Sequence, residues 1–288
     1  MDNMQKIPVF FTFDANYLLA AKVAIHSMMK HASRQYWYEL YVFHTTLSPK
    51  AQQSLRNSLK EFTHTELHFI DVTQYNEKIK NFGTKAHYSK EIFYKLIATD
   101  VLPQYDRIIC SDVDVVFTGD FSPVFFMFPN EKFYYAGVGP VENSRMPYYR
   151  KDFSTTEMEI LEHEIAAGFL LINLKELRND HKQEEIINFY VNNYPRLRLP
   201  EQDCIILTCW PYIKYLPIDY SLPISFYRLN MNQRDFYQGN TEFAGDKATA
   251  LAKFNKGLAH PVQIHYAGFD KPWNCFRLTR RQDWIKAM

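Results

Sequence analysis

Four cysteines in 288 residues, with no Cys-x-x-Cys pair and no regular spacing, exclude a disulfide framework. Cys110, Cys204, Cys209 and Cys275 read as reduced thiols of a cytoplasmic protein. Net charge is also missing: 33 Lys and Arg against 32 Asp and Glu leave +1, so no global field favours nucleic acid. No stretch reaches the roughly 18 apolar residues needed to span a bilayer. The opening Met1-Asp2-Asn3-Met4-Gln5-Lys6 lacks the apolar core of a signal peptide. No repeat, low-complexity tract or dividing linker is visible. These absences lead us to expect a cytoplasmic protein, at most peripheral on the inner membrane surface, with no nucleic-acid partner.

What the chain has in quantity is apolar and aromatic surface. Hydrophobic residues make up 47% and aromatics 16%, enough for a sizeable core with rings to spare for stacking on planar or sugar ligands. Ile7 to Phe13 reads as a buried first strand, followed by the polar turn Asp14-Ala15-Asn16-Tyr17 and a helical stretch from Leu18 to His31. Tyr38 to Phe43 and Glu66 to Asp71 read as strands. Ser48-Pro49 opens a helix to about Phe62, the serine as N-cap and the proline in the first turn. Ser89 to Leu102 is predicted as a helix with Ile92, Leu96 and Ile97 on one side, stopped by Pro103. Strands alternating with helices predict an open α/β sheet, in which ligands bind beyond the carboxyl ends of the strands.

The stretch Arg107 to Phe117 then stands out. A β-branched run is interrupted by Asp112-Val113-Asp114 and resumes as Val115-Val116-Phe117. In an extended backbone residues i and i+2 share a face, so the two carboxylates converge while Val113 turns away. Carboxylates that close repel each other unless a cation lies between them. An ordinary strand end with two solvated aspartates is the competing reading. Further on, Phe133 to Val138 and Ala166 to Leu174 read as strands, the latter with an entry glycine, Gly168, that allows close backbone approach. The polar, aromatic excursion from Pro140 to about Thr156, carrying Tyr148, Tyr149 and Phe153, reads as a lid. Lys182 to Tyr194 is an amphipathic helix, Pro200-Glu201-Gln202-Asp203 begins another, and order returns at Val262 to Trp273 after a loop-rich stretch.

Five blocks, from Phe10 to Trp273, together resemble glycosyltransferase family 8, the retaining, metal-dependent transferases that include bacterial lipopolysaccharide galactosyl- and glucosyltransferases. They are Asp14-Ala15-Asn16-Tyr17, Asp112-Val113-Asp114, the strand from Gly168 to Leu174, Glu201-Gln202-Asp203, and His265-Tyr266-x-Gly268-x-x-Lys271-Pro272-Trp273. The resemblance implies a GT-A fold: one α/β nucleotide-binding domain over residues 1–275, with a mixed central sheet flanked by helices. Residues 276–288 would form a basic, aromatic tail. It implies a UDP-sugar donor, UDP-galactose or UDP-glucose, and a saccharide or glycolipid acceptor.

By the same resemblance, Thr12, Asp14 and Asn16 would meet the nucleotide while Tyr17 stacks on its base. Local helix capping by Asp14 or Asn16 is the alternative. Asp112, Asp114 and His265 would hold Mn2+ or Mg2+, a ligand set of carboxylates plus imidazole that suits Mn2+. Asp112, Val113 and Gly268 would also contact the nucleotide end, with Lys271 as a point charge on the diphosphate. The sugar would lie among His87, Lys95, Ala166, Ala167, Gly168, Glu201 and Gln202. Glu201, Gln202 and Asp203 would carry catalysis, Gln202 stabilising charge under the sugar during a same-face displacement. Three positions depart from the family pattern: Lys95 replaces a common arginine, Ala166 an asparagine, and Glu201 an aspartate. Transfer to protein and a catalytically inactive UDP-sugar-binding relative are the other readings. A nucleotidyltransferase is disfavoured, because the turn after the first strand has no glycine. The tail, with Arg277, Arg280, Arg281 and Lys286 beside Phe276 and Trp284, either touches an anionic membrane surface or packs as a terminal helix.

Overall fold

A computed structural model describes residues 4–80, 89–142, 151–239 and 242–288. Among the described residues ten strands form two sheets: β1 (Lys6–Thr12), β2 (Trp37–His44), β3 (Thr65–Asp71), β4 (Ile108–Ser111), β5 (Val115–Phe117), β6 (Tyr135–Val138), β7 (Phe169–Ile172), β8 (Ile213–Leu216), β9 (Leu222–Pro223) and β10 (Gln263–His265). The large sheet runs β3-β2-β1-β4-β7-β6-β8, and the small one β5-β10-β9. β1 is parallel to both β2 and β4, whereas β7 is antiparallel to both its neighbours, so the large sheet is mixed as expected.

The strands read as near-continuous apolar runs because both faces of the large sheet are covered. Val9, Phe11, Ile109 and Leu171 join one buried cluster with the helix Leu18–His31. Phe10, Cys110, Leu170 and Ile172 join a second cluster, with Ile186 and Tyr190 of the helix Lys182–Asn193 and Ile205 of the helix Pro200–Cys209. Two other helices have side-chain caps at their starts. Ser48 accepts the Ala51 N–H ahead of the helix Pro49–Asn57, which stops before the expected Phe62. Ser154 and Glu157 form a reciprocal capping box that starts the helix Thr155–Leu161 inside the excursion expected as a lid. Tyr148 and Tyr149 lie outside the described residues.

The helix expected from Ser89 to Leu102 needs correction. It is a 3-10 helix over Lys90–Ile97 and a short α-helix over Ala98–Val101. A 3-10 helix aligns every third side chain. Here that row is Ser89, Ile92 and Lys95, and all three line the same cleft. An α-helical turn would rotate successive members of this row away from it.

The C-terminal segment is a helix, Arg281–Ala287, resting on the small sheet and the helix Leu18–His31. Trp284 is buried against Val23, Val116, Ile264 and Tyr266. Arg280 donates Nε–H to Asp283 Oδ2 at 2.7 Å and an η N–H to the Tyr227 hydroxyl at 3.0 Å, and Arg281 donates Nε–H to the Pro272 carbonyl at 2.8 Å. Two of the four basic side chains are therefore engaged internally, while Arg277 and Lys286 remain exposed. Among the described residues no helix is long and apolar enough to cross a membrane.

Candidate active site

The two aspartates sit where the chain leaves one sheet and enters the other. Asp112 N–H donates to the Gly168 carbonyl at 2.9 Å, extending the pairing of β4 with β7 by one residue. Two residues later the Asp114 carbonyl accepts the Tyr266 N–H at 2.9 Å, extending the pairing of β5 with β10. Val113 is thus the pivot between two hydrogen-bonded ladders. The carboxylates converge, but through a bend between strands and not through the straight i, i+2 geometry expected. The same register sets His265 opposite Val115, next to Asp114.

The resulting cluster is compact. His265 Nε2 lies 3.3 Å from Asp114 Oδ1 and 3.7 Å from Asp112 Oδ2. One ligand atom from each of the three residues falls within 4.8 Å of the others. Bonds of ~2.1 Å to an octahedral ion put neighbouring donors about 3 Å apart and opposite ones about 4 Å apart. The set therefore fits a hard or borderline divalent ion with small adjustment, and its carboxylate–imidazole chemistry suits Mn2+. Each carboxylate keeps one oxygen for this centre because a lysine holds the other. Lys95 Nζ is 2.6 Å from Asp112 Oδ1, and Lys271 Nζ is 2.6 Å from Asp114 Oδ2. Burial alone would raise the Asp114 carboxyl, but His265 and Lys271 hold it well below the usual carboxylate range.

Gly168 has a different task from the one expected. A Cβ there would lie 2.6 Å from both Cε1 and Nδ1 of His265. The missing side chain leaves room for the imidazole. Gly268 is in the left-handed region at φ +99°, where its Cβ-free backbone turns the chain between His265 and Lys271.

Lys95 is the second organising charge. It is fully buried, and its three N–H donors go to Asp112, to Glu201 Oε1 at 3.2 Å and to the Ala167 carbonyl at 3.1 Å. Burial opposes its charge, but Asp112 and Glu201 outweigh that and keep it protonated far above the ordinary lysine range. The sugar or phosphate contact expected of Lys95 would cost one of these bonds, so the structure uses it as an internal brace. Glu201 is buried, and its other oxygen, Oε2, has no hydrogen-bond partner among the described residues. A buried orphan acceptor of this kind suits a ligand hydroxyl.

These groups line one cleft of about 450 Å³. Thr12, Tyr17, Val113, Ala166, Ala167, Gln202 and Gly268 also form its walls, beside the metal cluster, Lys95, Glu201, Gly168 and Lys271. Thr12 donates its hydroxyl to the Glu91 carbonyl at 2.8 Å, and Tyr17 meets Trp273 edge-on at 5.8 Å between centroids. Three expected residues are placed otherwise. Asp14 accepts from Asn16 at both the backbone N–H, 2.9 Å, and the side-chain amide, 3.1 Å, and neither lines the cleft. Asp203 points back along its helix, where Oδ2 accepts the N–H groups of Arg198 at 2.6 Å and Leu199 at 2.8 Å. That is a helix-start function, and it removes Asp203 from the reacting face. His87 lies outside the described residues.

Two acidic residues in the walls went unread in the sequence: Glu91 and Glu164. Glu91 stands four residues before Lys95, and that spacing was the available signal. Glu164 has none beyond its closeness to Ala166-Ala167.

A mixed sheet with this cleft at its strand ends is the GT-A fold, and the family match makes the protein a glycosyltransferase. Residues 8–276 match the model of glycosyl transferase family 8, and the chain belongs to that family. Among curated proteins it is similar to lipopolysaccharide 1,2-glucosyltransferase of Escherichia coli strain K12, 22% identical over 276 residues, 92% of this chain and 72% of that one. It is also similar to glycosyltransferase GlyF of Streptococcus pneumoniae serotype 4, 21% identical over 94% of this chain and 59% of GlyF. Among solved structures, the bifunctional glycosyltransferase WbbM superposes with a TM-score of 0.75 at 22% identity, covering 98% of this chain and 49% of WbbM. An active-site mutant of LgtC gives 0.72 at 15% identity, over 98% and 95% of the two chains.

Proposed function

We propose that this chain is a retaining hexosyltransferase that moves galactose or glucose from a UDP-sugar to the saccharide of a glycolipid or other cell-envelope acceptor. The observation that carries the reading is the Asp112–Asp114–His265 cluster, joined through the single Lys95 ammonium to Glu201 beside Gln202. Metal, diphosphate and sugar then have adjoining places in one cleft. The names of the relatives support the choice of hexose: a lipopolysaccharide glucosyltransferase, and the galactosyltransferase LgtC solved with donor and acceptor sugar analogues.

Mn2+ or Mg2+ held by Asp112, Asp114 and His265 would supply Lewis-acid stabilisation of the UDP leaving group. The chain's own residues do the rest. Lys271, with two donors spent on Asp114 and the Tyr266 carbonyl, retains a third for a phosphate oxygen. The half-buried Tyr17 offers its ring to the base. Glu201 Oε2 accepts a sugar hydroxyl, and Gln202 faces the anomeric centre as positive charge grows there. The departing phosphate takes the acceptor's proton on the same face, so configuration is retained without a protein nucleophile. Peripheral membrane contact belongs to this reading. Phe276 is 83% exposed, next to the exposed Arg277 and a helix away from Lys286, a basic and apolar edge suited to anionic lipid.

The test is calorimetric titration with UDP, with and without Mn2+, followed by a screen of UDP-sugars for metal-dependent hydrolysis. UDP binding that needs Mn2+ and is lost in Asp114→Ala is expected, with turnover of UDP-galactose or UDP-glucose. No metal-dependent UDP binding would sink the reading. Binding without turnover of any UDP-sugar would instead identify an inactive sugar-nucleotide binder.

A further inference from the structure

Gln202 is clamped at both ends of its amide. Nε2 donates to Glu164 Oε2 at 3.0 Å, and Oε1 accepts the Ala167 N–H at 3.4 Å. The chemistry of the partners fixes which end is which, because a carboxylate cannot donate and a backbone N–H cannot accept. Both Glu164 and Gln202 line the cleft.

Glu164 is itself held firmly. It closes the turn after the helix Thr155–Leu161, with its N–H on the Leu161 carbonyl at 3.3 Å. The neighbouring His163 stacks on Trp210 at 3.8 Å and 7°, accepts the Tyr215 hydroxyl on its carbonyl at 3.2 Å, and meets the Tyr237 hydroxyl at Nδ1, 3.2 Å away. Trp210 ends the helix that Gln202 begins. The turn is therefore stapled to that helix at both ends, through Glu164 to its start and through His163 to its finish. The backbone that carries the Glu164 carboxylate is thereby held against the helix that carries Gln202.

From this arrangement we infer that Glu164 is a positioning residue that polarises Gln202. A hydrogen bond to an ionised acceptor is about twice as strong as a neutral one, and it shifts electron density in the amide from Nε2 toward Oε1. Oε1 spends one lone pair on the Ala167 N–H and keeps the other to offer to positive charge. A neutral amide is a weak stabiliser of a cationic sugar; an amide backed by a carboxylate is a better one, while remaining unable to form a stable ester with it. The inference rests on the transferase reading above, and it explains why an acidic side chain occupies a wall whose metal-binding carboxylates are already complete.

The experiment compares Glu164→Gln, Glu164→Asp, Gln202→Ala and the double variant Glu164→Gln/Gln202→Ala in steady-state donor hydrolysis, with UDP–Mn2+ affinity and thermal midpoint measured alongside. Glu164→Gln keeps the length and an acceptor for Nε2 but loses the charge. Its kcat should fall about tenfold, with donor KM, UDP affinity and midpoint unchanged. Glu164→Asp keeps the charge and should recover part of that loss. The double variant should be no slower than Gln202→Ala alone, because Glu164 acts through Gln202. Wild-type kcat in Glu164→Gln overturns the inference and leaves the transferase reading standing, as does a double variant in which the two losses multiply. A wild-type protein that turns over no UDP-sugar overturns both.

Discussion

Replacing Lys95 by methionine is the sharpest probe of how the site is held together. The methionine fills most of the volume of the lysine stem but removes the ammonium lying 2.6 Å from Asp112 and 3.2 Å from Glu201. The buried Glu201 carboxylate and the partly exposed Asp112 then lose the cation they share. Taking one partner from a buried ion pair costs about 3–5 kcal/mol, because the charge left behind stays desolvated. For a chain of this size that corresponds to a drop of roughly 6–20 °C in thermal midpoint, at ~2–4 °C per kcal/mol. Two controls separate charge from packing. Lys95→Met/Glu201→Met removes the stranded carboxylate as well and should regain more than half the loss, since apolar replacement of a whole buried pair is often neutral. Added Mn2+ should narrow the gap between Lys95→Met and wild type, because Asp112, freed from its lysine, attracts the divalent ion more strongly and binding to the native state stabilises it. Urea unfolding with and without Mn2+ measures all three proteins. A Lys95→Met variant within about 0.5 kcal/mol of wild type, or a gap indifferent to Mn2+, would refute the internal-brace account.

Two further outcomes follow from single contacts. Gly168→Ala drives a methyl to 2.6 Å from the His265 ring, so the imidazole must rotate away from Asp114. The variant should fold yet lose at least about tenfold in Mn2+-dependent UDP affinity, measured by calorimetry, while Gly268→Ala should instead be strained by its positive φ. Glu242 is raised from 4.5 to about 7, first by burial and then by Asp219, against the lowering effect of the Ile218 N–H and of Lys253. Because the folded value lies above the unfolded one, its contribution to stability is complete below pH 4.5 and is lost as pH rises through about 7. Glu242→Gln keeps an acceptor for the Ile218 N–H and should flatten that part of the curve, adding on the order of 2 kcal/mol at pH 8 after allowance for partial exposure. Chemical denaturation from pH 4 to pH 9 checks this, and parallel curves for the two proteins would refute it.

What could be read from the sequence was whatever depends on a local period or a local charge pair. The apolar runs of β1, β4 and β7 announced buried strands, and the spacing of Asp112 and Asp114 announced two carboxylates that converge on one centre. What could not be read was where each strand finds its partner. Ile108 to Phe117 looks like one interrupted strand. Nothing in it shows that Asp112 closes a ladder with Gly168 while Asp114 opens another with Tyr266, more than 150 residues further along. The row Ser89, Ile92, Lys95 was hidden for a related reason. Period three and period four are both present among Ile92, Lys95 and Leu96, and packing against the cleft decides for the tighter helix. Asp203 shows the opposite error: beside Glu201 and Gln202 it looks chemical, yet its carboxylate is needed to satisfy the N–H groups of Arg198 and Leu199.

The change of sheet at Val113 has a mechanistic consequence that a straight strand would lack. Each aspartate inherits the rigidity of a different ladder, Asp112 from β4 and β7, Asp114 from β5 and β10. His265 comes with the second ladder, and its place beside Gly168 ties it to the first. The three donor atoms are therefore set by the angle between two sheets, not by the flexibility of one loop. Each aspartate is further locked by its own lysine, Lys95 from the 3-10 helix and Lys271 from the turn after Gly268. A metal ion entering this cluster meets carboxylates already turned toward it, and little ordering remains to be done when it binds. The same lysines leave the pair short of the full negative charge that two free aspartates would offer. We therefore expect a site tuned to take its ion together with the diphosphate and not ahead of it, so that Mn2+ titrated alone should bind more weakly than Mn2+ titrated in the presence of UDP.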